Sequence, residues 1–354
     1  MGAPSINIVF IEKGITAMER GERGVVALVL KDKVKQQVTI YSVSDIPAGL
    51  SPDNRELVEM ALMGYQKSPK KIILYVMSQD VATLDAEYQE MEKYFESTSF
   101  NWLAVPSVET DEKTQELVTW IKAQRGLKRT VKAVLPNTAA DTEGVINVAS
   151  SLFKGNRELE PEKATARVAG LIAGTPMTIS CTYAPLKDFT DCTRLSPAEL
   201  DAAVDAGKFV FLWDGEKVKV CRGVNSFVTS TDVKGDSFKK IKILEAMDMI
   251  QDDIQMTAQD NYIGKYANSY DNKCLLITAI NGYFAELIRE GIISSGSSEI
   301  DIDAQRNYLQ SKGIAVESMS DQEIKESNTG SRVFLKATVS ILDAIEDIDL
   351  NIYI

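Results

Sequence analysis

Two groups of acidic residues are the parts of this sequence whose types and spacing could do chemistry. One is the adjacent pair Asp252 and Asp253. The other lies near the end of the chain and consists of Asp343, Glu346, Asp347 and Asp349. Paired carboxylates can serve as acid and base on a sugar, and a cluster of them can hold a divalent cation. A solvated helix face and a charged edge strand explain the same residues without chemistry, and we favour that interpretation.

The residue types that most enzymes use are missing. The 354 residues include no histidine, which removes Ser-His-Asp and Cys-His arrangements and the commonest general base near neutral pH. No GxxxxGK[ST] motif occurs, and no GxGxxG follows a predicted strand. We therefore expect no enzyme activity, no cofactor and no metal site.

Basic residues form two short runs in an otherwise acidic chain. The runs consist of Lys122, Arg125, Lys128, Arg129 and Lys132, and of Lys234, Lys239, Lys240 and Lys242. The net charge is −12, the first run contains no aromatic residue and the second contains only Phe238, so neither nucleic acid nor an anionic membrane is an expected partner. Solvated faces are the favoured interpretation. Contact with an acidic patch on another copy is the alternative, and it predicts salt-sensitive assembly.

The cysteines and the apolar runs indicate the compartment. Cys181, Cys192, Cys221 and Cys274 form no CxxC pair, and we expect four reduced thiols in a protein folded in a cytosol. No apolar run approaches the ~20 residues needed to span a bilayer, and the N-terminus lacks the layout of a signal peptide.

Residues 51–148 alternate between helix and strand patterns. Ser51 and Pro52 form a helix start, and residues 72–77 are continuously apolar, as in a strand buried on both faces. Further strands are predicted at 102–105, 131–135 and 145–148. This rhythm predicts a mostly parallel sheet with helices on its faces, and such a sheet can carry a ligand crevice.

The second half of the chain reads as α+β. Ser196 to Glu199 is a capping box with proline at the first helical position, and Asp214-Gly215 between two apolar runs predicts a hairpin. Two long amphipathic helices follow. Residues 294–298 are predicted as a loop and residues 333–341 as a strand.

Both chain ends read as strands. Ile348, Leu350, Ile352 and Ile354 alternate with polar residues, and Ile6, Ile8 and Phe10 alternate near the start. Unpaired strands at both ends are an aggregation hazard unless something covers them. From the ends alone we favour pairing within the same domain; strand addition to neighbouring copies is the alternative.

Several stretches, in order and spacing, resemble the contractile tail sheath proteins of bacteriophages and R-type tailocins. They are ATARVAGLIAGTP with Gly170 and Pro176, LSPAELDAAVDAGKFVFLWDG, and VKVCRGVNSFVT with Arg222, Gly223, Val224 and Asn225. In the last, Ser226 stands where threonine is usual. FKKIKILEAMDMIQDDI resembles the long helix that follows, ATVSILDAIEDIDLNIYI the terminal arm, and RGVVALVLKD the start of short sheaths from phages of Gram-positive hosts. The resemblance covers most of the chain.

The resemblance implies a structural subunit. Six copies would form a ring, and rings would stack around an inner tube and contract to drive it through a cell envelope. The terminal arms would add strands to sheets in neighbouring subunits. The implied partners are other sheath subunits, the inner tube, the baseplate and the tail terminator. Assembly would take place in the bacterial cytoplasm, and lysis would release the tail particle.

The expected fold combines an α/β half, with an alternating and mostly parallel sheet, and an α+β half, with extended strand arms at both ends. The expected division is an arm and linker at 1–24, an α/β domain at 25–160, a sheath core domain at 161–342 and a C-terminal arm at 343–354. A soluble α/β enzyme or ligand-binding protein with a crevice in residues 25–150 is the alternative. An inner tube protein is disfavoured, since we expect such a subunit to be shorter and mostly β.

Overall fold

The computed structural model describes residues 18–353, which fall into two compact units. Of the described residues, the larger unit contains 21–252 and 343–353, and the smaller unit contains 253–342 with 18–20. The predicted boundary between residues 160 and 161 lies inside the larger unit.

The elements of the larger unit follow one another in a mostly alternating order. The first half contains β1 (Val25–Asp32), β2 (Gln36–Ile40), α1 (Pro52–Met63), β3 (Lys71–Ser78), α2 (Leu84–Ser97), β4 (Trp102–Ala104), α3 (Thr114–Gly126), β5 (Lys132–Pro136) and β6 (Val145–Val148). The rest contains β7 (Leu152–Lys154), β8 (Arg157–Leu159), α4 (Pro161–Ala173), β9 (Asp191–Cys192), α5 (Pro197–Asp205), β10 (Lys208–Phe209), β11 (Phe211–Trp213), β12 (Val218–Val220) and α6 (Ile241–Thr257), whose last turns belong to the smaller unit.

One seven-stranded sheet organises this unit. Its order is β10-β6-β5-β4-β1-β3-β2, and every neighbouring pair is parallel except the β2–β3 edge. The prediction of a mostly parallel sheet with flanking helices is confirmed. Strand β10 lies beyond residue 160 and pairs with β6, so both sides of the predicted boundary contribute strands to this sheet.

The central strand β1 explains why its sequence is apolar throughout. Val26 and Leu28 pack into the core layer that contains α1 and α4, whereas Ala27 and Val29 pack into the layer that contains α2 and α3. Alternate side chains of a strand point to opposite faces, and here both faces are covered by helices.

Two smaller sheets, β8-β7-β9 and the hairpin β11-β12, complete the larger unit. The predicted Asp214-Gly215 hairpin is confirmed, and the Asp214 carboxylate accepts hydrogen bonds from two backbone N–H groups of the turn, both at 2.9 Å. The capping box of α5 is also confirmed, since Ser196 and Glu199 exchange side-chain and backbone hydrogen bonds.

The smaller unit contains a helix packed on a two-stranded sheet. Its elements are α7 (Tyr270–Arg289), β13 (Ile293–Ile300), α8 (Ile302–Ser311), α9 (Asp321–Glu326) and β14 (Leu335–Ile341). β13 and β14 are antiparallel, with Ile300 opposite Leu335.

The predicted loop at residues 294–298 is wrong, because these residues lie within β13. Ser298 N–H donates to Asn281 Oδ1 at 2.6 Å, and Gly296 lies so close to Phe284 that an added Cβ would be 2.9 Å from the ring. Packing against α7 therefore overrides the turn preference of serine and glycine.

Candidate assembly site

The tip of the C-terminal arm, residues 348–354, lies in solvent as far as the structure describes it. Ile348, Leu350 and Ile352 are 80%, 74% and 76% exposed, and residues 342–353 belong to no strand. Ile6, Ile8, Phe10 and Ile354 lie outside the described residues. Within those limits, the favoured expectation that the C-terminal strand pairs inside its own domain is wrong. A row of exposed aliphatic side chains indicates an interaction site.

The root of the same arm, residues 343–347, is held on the larger unit by Glu346. The Glu346 side chain is only 6% exposed. Ser180 Oγ and Thr182 Oγ1 donate hydrogen bonds to Glu346 Oε1 at 3.0 Å and 2.5 Å. The chain therefore changes from tightly held to solvent-exposed within a few residues.

Two cations, Arg222 and Lys240, also contact this root. Together with Ser180 and Thr182 they form a set of residues that we call the cradle. Lys240 Nζ lies 3.4 Å from Glu346 Oε2 and forms an ion pair with Asp343. Arg222 Nε lies 3.8 Å from Glu346 Oε2, and its Nη2 donates to Asp347. The hydrogen bond from Arg222 lowers the pKa of the Asp347 carboxyl. Three acids of the root thus face two cations and two hydroxyl groups.

The interpretation of both acidic groups as solvated faces is wrong for two of their members. Glu346 is buried in the cradle, and Asp253 is 0% exposed and accepts a hydrogen bond from Tyr283 Oη at 2.6 Å. A carboxylate can be buried when hydrogen-bond donors and cations of the protein replace the water molecules around it. The spacing of acidic residues in the sequence does not reveal where such donors will lie. Among the residues described, no group of three or more potential ligands could hold a metal ion.

The family-motif residues build the wall of the cradle. Gly223 N–H donates to Thr182 Oγ1 at 2.9 Å, and an added Cβ would lie 2.8 Å from Cys181 Sγ. Val224 forms an isolated bridge with Lys240. The fully buried Asn225 donates to Phe238 O at 2.7 Å and accepts from Phe227 N–H at 3.0 Å. Arg222 is the only one of these four motif residues whose side chain reaches the arm.

The other two motif positions lie apart from the arm contacts. An added Cβ on Gly170 would lie 2.0 Å from Ala61 O, so Gly170 allows α4 to approach α1 closely. Pro176 follows α4 and lines a small cavity together with Cys181 and Ile241. These positions support the packing of the larger unit.

Sequence reasoning missed the role of Glu346, although the sequence contains a signal for it. In the alternating pattern of the arm, position 346 shares its face with Ile348, Leu350 and Ile352. Glu346 is therefore a charged residue in an apolar register. Such a residue needs partners if it is buried. Lys240 belongs to a basic run and to a family stretch, but neither pattern indicated that it contacts Glu346, and no motif included Thr182.

The described part of the N-terminal linker is also held by ion pairs. Glu22 pairs with Lys70 at 3.1 Å, and Arg23 pairs with Asp252 at 2.9 Å. The glycine- and charge-rich residues 14–24 are predicted from the sequence as an exposed arm or linker. Glu22 is exposed, whereas Arg23 is half-buried beside Asp252.

The basic runs are only partly solvated. Lys132 is 0% exposed and lies 2.6 Å from carboxylate oxygens of both Glu245 and Asp248. Arg125 forms two hydrogen bonds with Asp248, each of 3.1 Å. The solvated-face interpretation is wrong for these two residues, because they fix α6 to the sheet and α3. Lys122 remains exposed, and its contact with an acidic patch on another copy stays a prediction.

The crevice of the alternative function lies where the carboxyl ends of β1 and β4 meet, at the point where the strand order reverses. Its volume is about 240 Å³, and its lining includes Lys31, Ser51 and Pro106. The carboxylate of Asp32, the last residue of β1, lies next to the residue that precedes α1. Asp32 accepts from Ser51 N–H at 2.8 Å and from Asn54 Nδ2 at 2.7 Å.

Replacing Asp32 by asparagine tests the hydrogen bonds that its carboxylate accepts. Burial would raise the pKa of Asp32, but its hydrogen bonds with Ser51, Asn54 and Lys33 lower it to about 2. The folded-state pKa lies below the unfolded value, so the stabilisation is present above pH ~4 and is lost as pH falls through about 2. We expect Asp32→Asn to cost about 2 kcal/mol at pH 7. Urea unfolding should show the difference from the unaltered chain shrinking between pH 4 and pH 2; a pH-independent difference would contradict this account.

The smaller unit offers a second surface for assembly. Within the described residues, β13 pairs only with β14, so each strand has an outer edge without a strand partner. Leu335, Val339 and Ile341 alternate along β14 and are half-buried. A two-stranded sheet is marginal on its own, and additional strands would stabilise it.

Comparison with known proteins shows the family to which the chain belongs. Residues 84–226 match the phage tail sheath protein central domain, and residues 233–354 match the phage tail sheath C-terminal domain. A tail sheath protein of Clostridium phage phiCD119 is 38% identical over 358 residues, which cover 99% of both chains. The chain therefore belongs to the phage tail sheath family.

Solved structures show the same fold. The sheath tail protein from Desulfitobacterium hafniense has a TM-score of 0.68 at 20% identity, with 84% of this chain and 94% of that chain covered. The contracted helical sheath of the anti-feeding prophage has a TM-score of 0.69 at 15% identity, with 99% of each chain covered.

Among the described residues, no helix combines the length and the apolar character that a membrane span requires.

Proposed function

We propose that this sheath protein polymerises as stacked six-membered rings around an inner tube, and that the polymer contracts to drive the tube through a cell envelope. Neighbouring subunits are joined by strands that their terminal arms, residues 1–24 and 343–354, donate. The observation that carries the proposal is the exposed, alternating apolar face of the arm tip. The partners are other copies of the chain, the inner tube, the baseplate and the tail terminator, without nucleic acid, membrane or cofactor.

The arm tip has the length and pattern of a donated strand. About six backbone hydrogen bonds would each contribute ~0.5–1.5 kcal/mol net. Each Ile or Leu that becomes fully buried would add ~1.5–3 kcal/mol. Ile348, Leu350 and Ile352 are solvent-exposed in the single chain, so nearly all of this energy is available to a neighbour.

The receiving surface is the pair of open edges of β13 and β14 in a neighbouring subunit. Adding a strand to either edge satisfies backbone groups that are otherwise left to water. The half-buried Leu335, Val339 and Ile341 of β14 supply apolar neighbours for the donated face. The pairing follows the ordinary rules of cross-strand contact.

Contraction needs no nucleotide on this proposal. The extended polymer would be metastable, and a trigger at one end would release stored interface energy as subunits repack. Arms that stay paired would keep neighbours connected while the subunit bodies move. On this proposal the chain has a structural role. Assembly would occur in the bacterial cytoplasm, before lysis releases the tail particle.

A pair of single substitutions tests strand donation. Leu350→Asp places a charge on the apolar face of the arm tip, and Asn351→Asp places the same charge one residue away on the polar face. We expect the intact chain and Asn351→Asp to form hollow tubes of uniform width as concentration rises, and Leu350→Asp to stay dispersed. Negative-stain electron microscopy and sedimentation measure this.

Controls separate assembly from folding and from a missing template. Because Leu350 is exposed, the thermal unfolding of dispersed Leu350→Asp should match that of the unaltered chain. Since sheaths can need a tube to template them, the comparison is repeated with purified inner tube. Equal assembly by both variants would show that the apolar face is not used.

A further inference from the structure

We infer that Glu346 is a positioning residue for strand donation: it latches the arm root to its own subunit and sets where the donated strand begins and in which register it pairs. The inference rests on the proposed function and concerns the cradle formed by Ser180, Thr182, Arg222 and Lys240. The latch acts on the donating subunit alone.

The arm changes from held to exposed chain directly after the residues that contact the cradle. Glu346 is buried under two hydroxyl donors and two cations, and Asp347 still contacts Arg222. Ile348, the next residue, is 80% exposed. A donated strand can therefore extend over residues 348–354 without breaking any contact of the cradle.

Glu346 also restricts the register in which the donated strand can pair. Because side chains alternate along a strand, Glu346 shares its face with Ile348 and Leu350. A slip by two residues would bring the Glu346 carboxylate against the apolar surface that receives Ile348, after removal from all its partners. A buried charge without partners is strongly unfavourable, so Glu346 penalises that slip. One polar residue in an apolar seam fixes register in coiled coils in the same way.

The contacts of Glu346 also preorganise the arm tip for pairing with a neighbouring subunit. A fixed root confines the tip to a small volume, which raises its effective concentration at a neighbour held in the correct place. The cradle consists only of residues of the larger unit, and the proposed receiving edges belong to the smaller unit of another copy. Weakening the latch should therefore impair donation and leave reception unchanged.

The test uses Glu346→Gln, which keeps the side-chain volume and removes the negative charge that faces Lys240 and Arg222. Asp349→Asn is the matched control, since it removes a carboxylate of the same arm that lies outside the cradle. We expect Glu346→Gln to raise the critical concentration for sedimentable polymer by tenfold or more, and Asp349→Asn to change it less than twofold. Lys240→Gln, which removes a cation of the cradle, should shift the critical concentration in the same direction as Glu346→Gln.

A second readout separates a latch from a general structural role. A fluorescent synthetic peptide of residues 347–354 is titrated into the full-length chain below its critical concentration. The peptide should bind the unaltered chain and Glu346→Gln with the same Kd. A weaker Kd for Glu346→Gln, or a critical concentration that Glu346→Gln and Lys240→Gln leave unchanged, would overturn the inference. If the peptide does not bind and Leu350→Asp still forms tubes, the proposed function itself fails.

Discussion

Deletion of residues 348–354 is expected to abolish polymer formation and to leave the single chain folded. The side chains of Ile348, Leu350, Ile352 and Tyr353 are 74–91% exposed, so their loss removes little buried surface. The deletion ends after Asp347 and leaves the contacts of Glu346 in place. Electron microscopy should show no tubes at concentrations where the intact chain forms them, and the thermal unfolding midpoint should stay within about 2 °C.

A chain of the same length with Gly and Ser in place of residues 348–354 is the matched control. It keeps the number of residues and removes the apolar face, so it should behave like the deletion. Tubes from the deleted chain would show that subunits assemble without this strand. Unfolding of the deleted chain would show that the segment stabilises its own subunit, and the interpretation as an exchanged arm would then be wrong.

Replacement of Lys132 by methionine is expected to destabilise the larger unit by about 3–5 kcal/mol, since it breaks a buried ion pair by removing one partner. Lys132 Nζ lies 2.6 Å from oxygens of Glu245 and Asp248 and 4.9 Å from the centre of the Trp102 ring. Burial would raise the pKa of Asp248, but Lys132 and Arg125 reverse this and lower it. Without Lys132, carboxylates that the lysine compensates remain on α6 next to the sheet.

Urea unfolding at pH 7 measures the loss, with Lys122→Met as the control. Lys122 belongs to the same basic run and is exposed, so its replacement should change the free energy of unfolding by less than about 0.5 kcal/mol. Equal effects of the two substitutions would show that the ion pairs of Lys132 contribute nothing beyond a surface charge. A Lys132→Met chain that is as stable as the unaltered one would show that methionine fills the site without a penalty from the carboxylates.

The family resemblance and much of the fold could be predicted from the sequence, because local patterns decide them. Alternating helix and strand periods predict the parallel sheet, and the apolar run of β3 reflects a strand covered on both faces. Helix α1 begins at the predicted Pro52, although the Ser51 side chain makes no capping hydrogen bond, and Ser196 with Glu199 forms the predicted capping box of α5. These helix starts depend on neighbours only a few positions away. The alternation of the C-terminal arm is visible in its last eight residues.

Other features depend on residues that are far apart in the chain. The burial of Lys132 depends on carboxylates more than a hundred positions away, and Glu346 depends on Ser180 and Thr182, which lie over 160 positions earlier. The serine-rich segment of β13 forms a strand because it pairs with β14 and packs against α7. The sequence by itself determined the family resemblance, the parallel sheet and the adhesive pattern of the arm tip, because periodicity and capping are local. Only the tertiary structure decided which charges are buried and where the arm leaves its subunit, because burial of a charge requires partners that folding brings together.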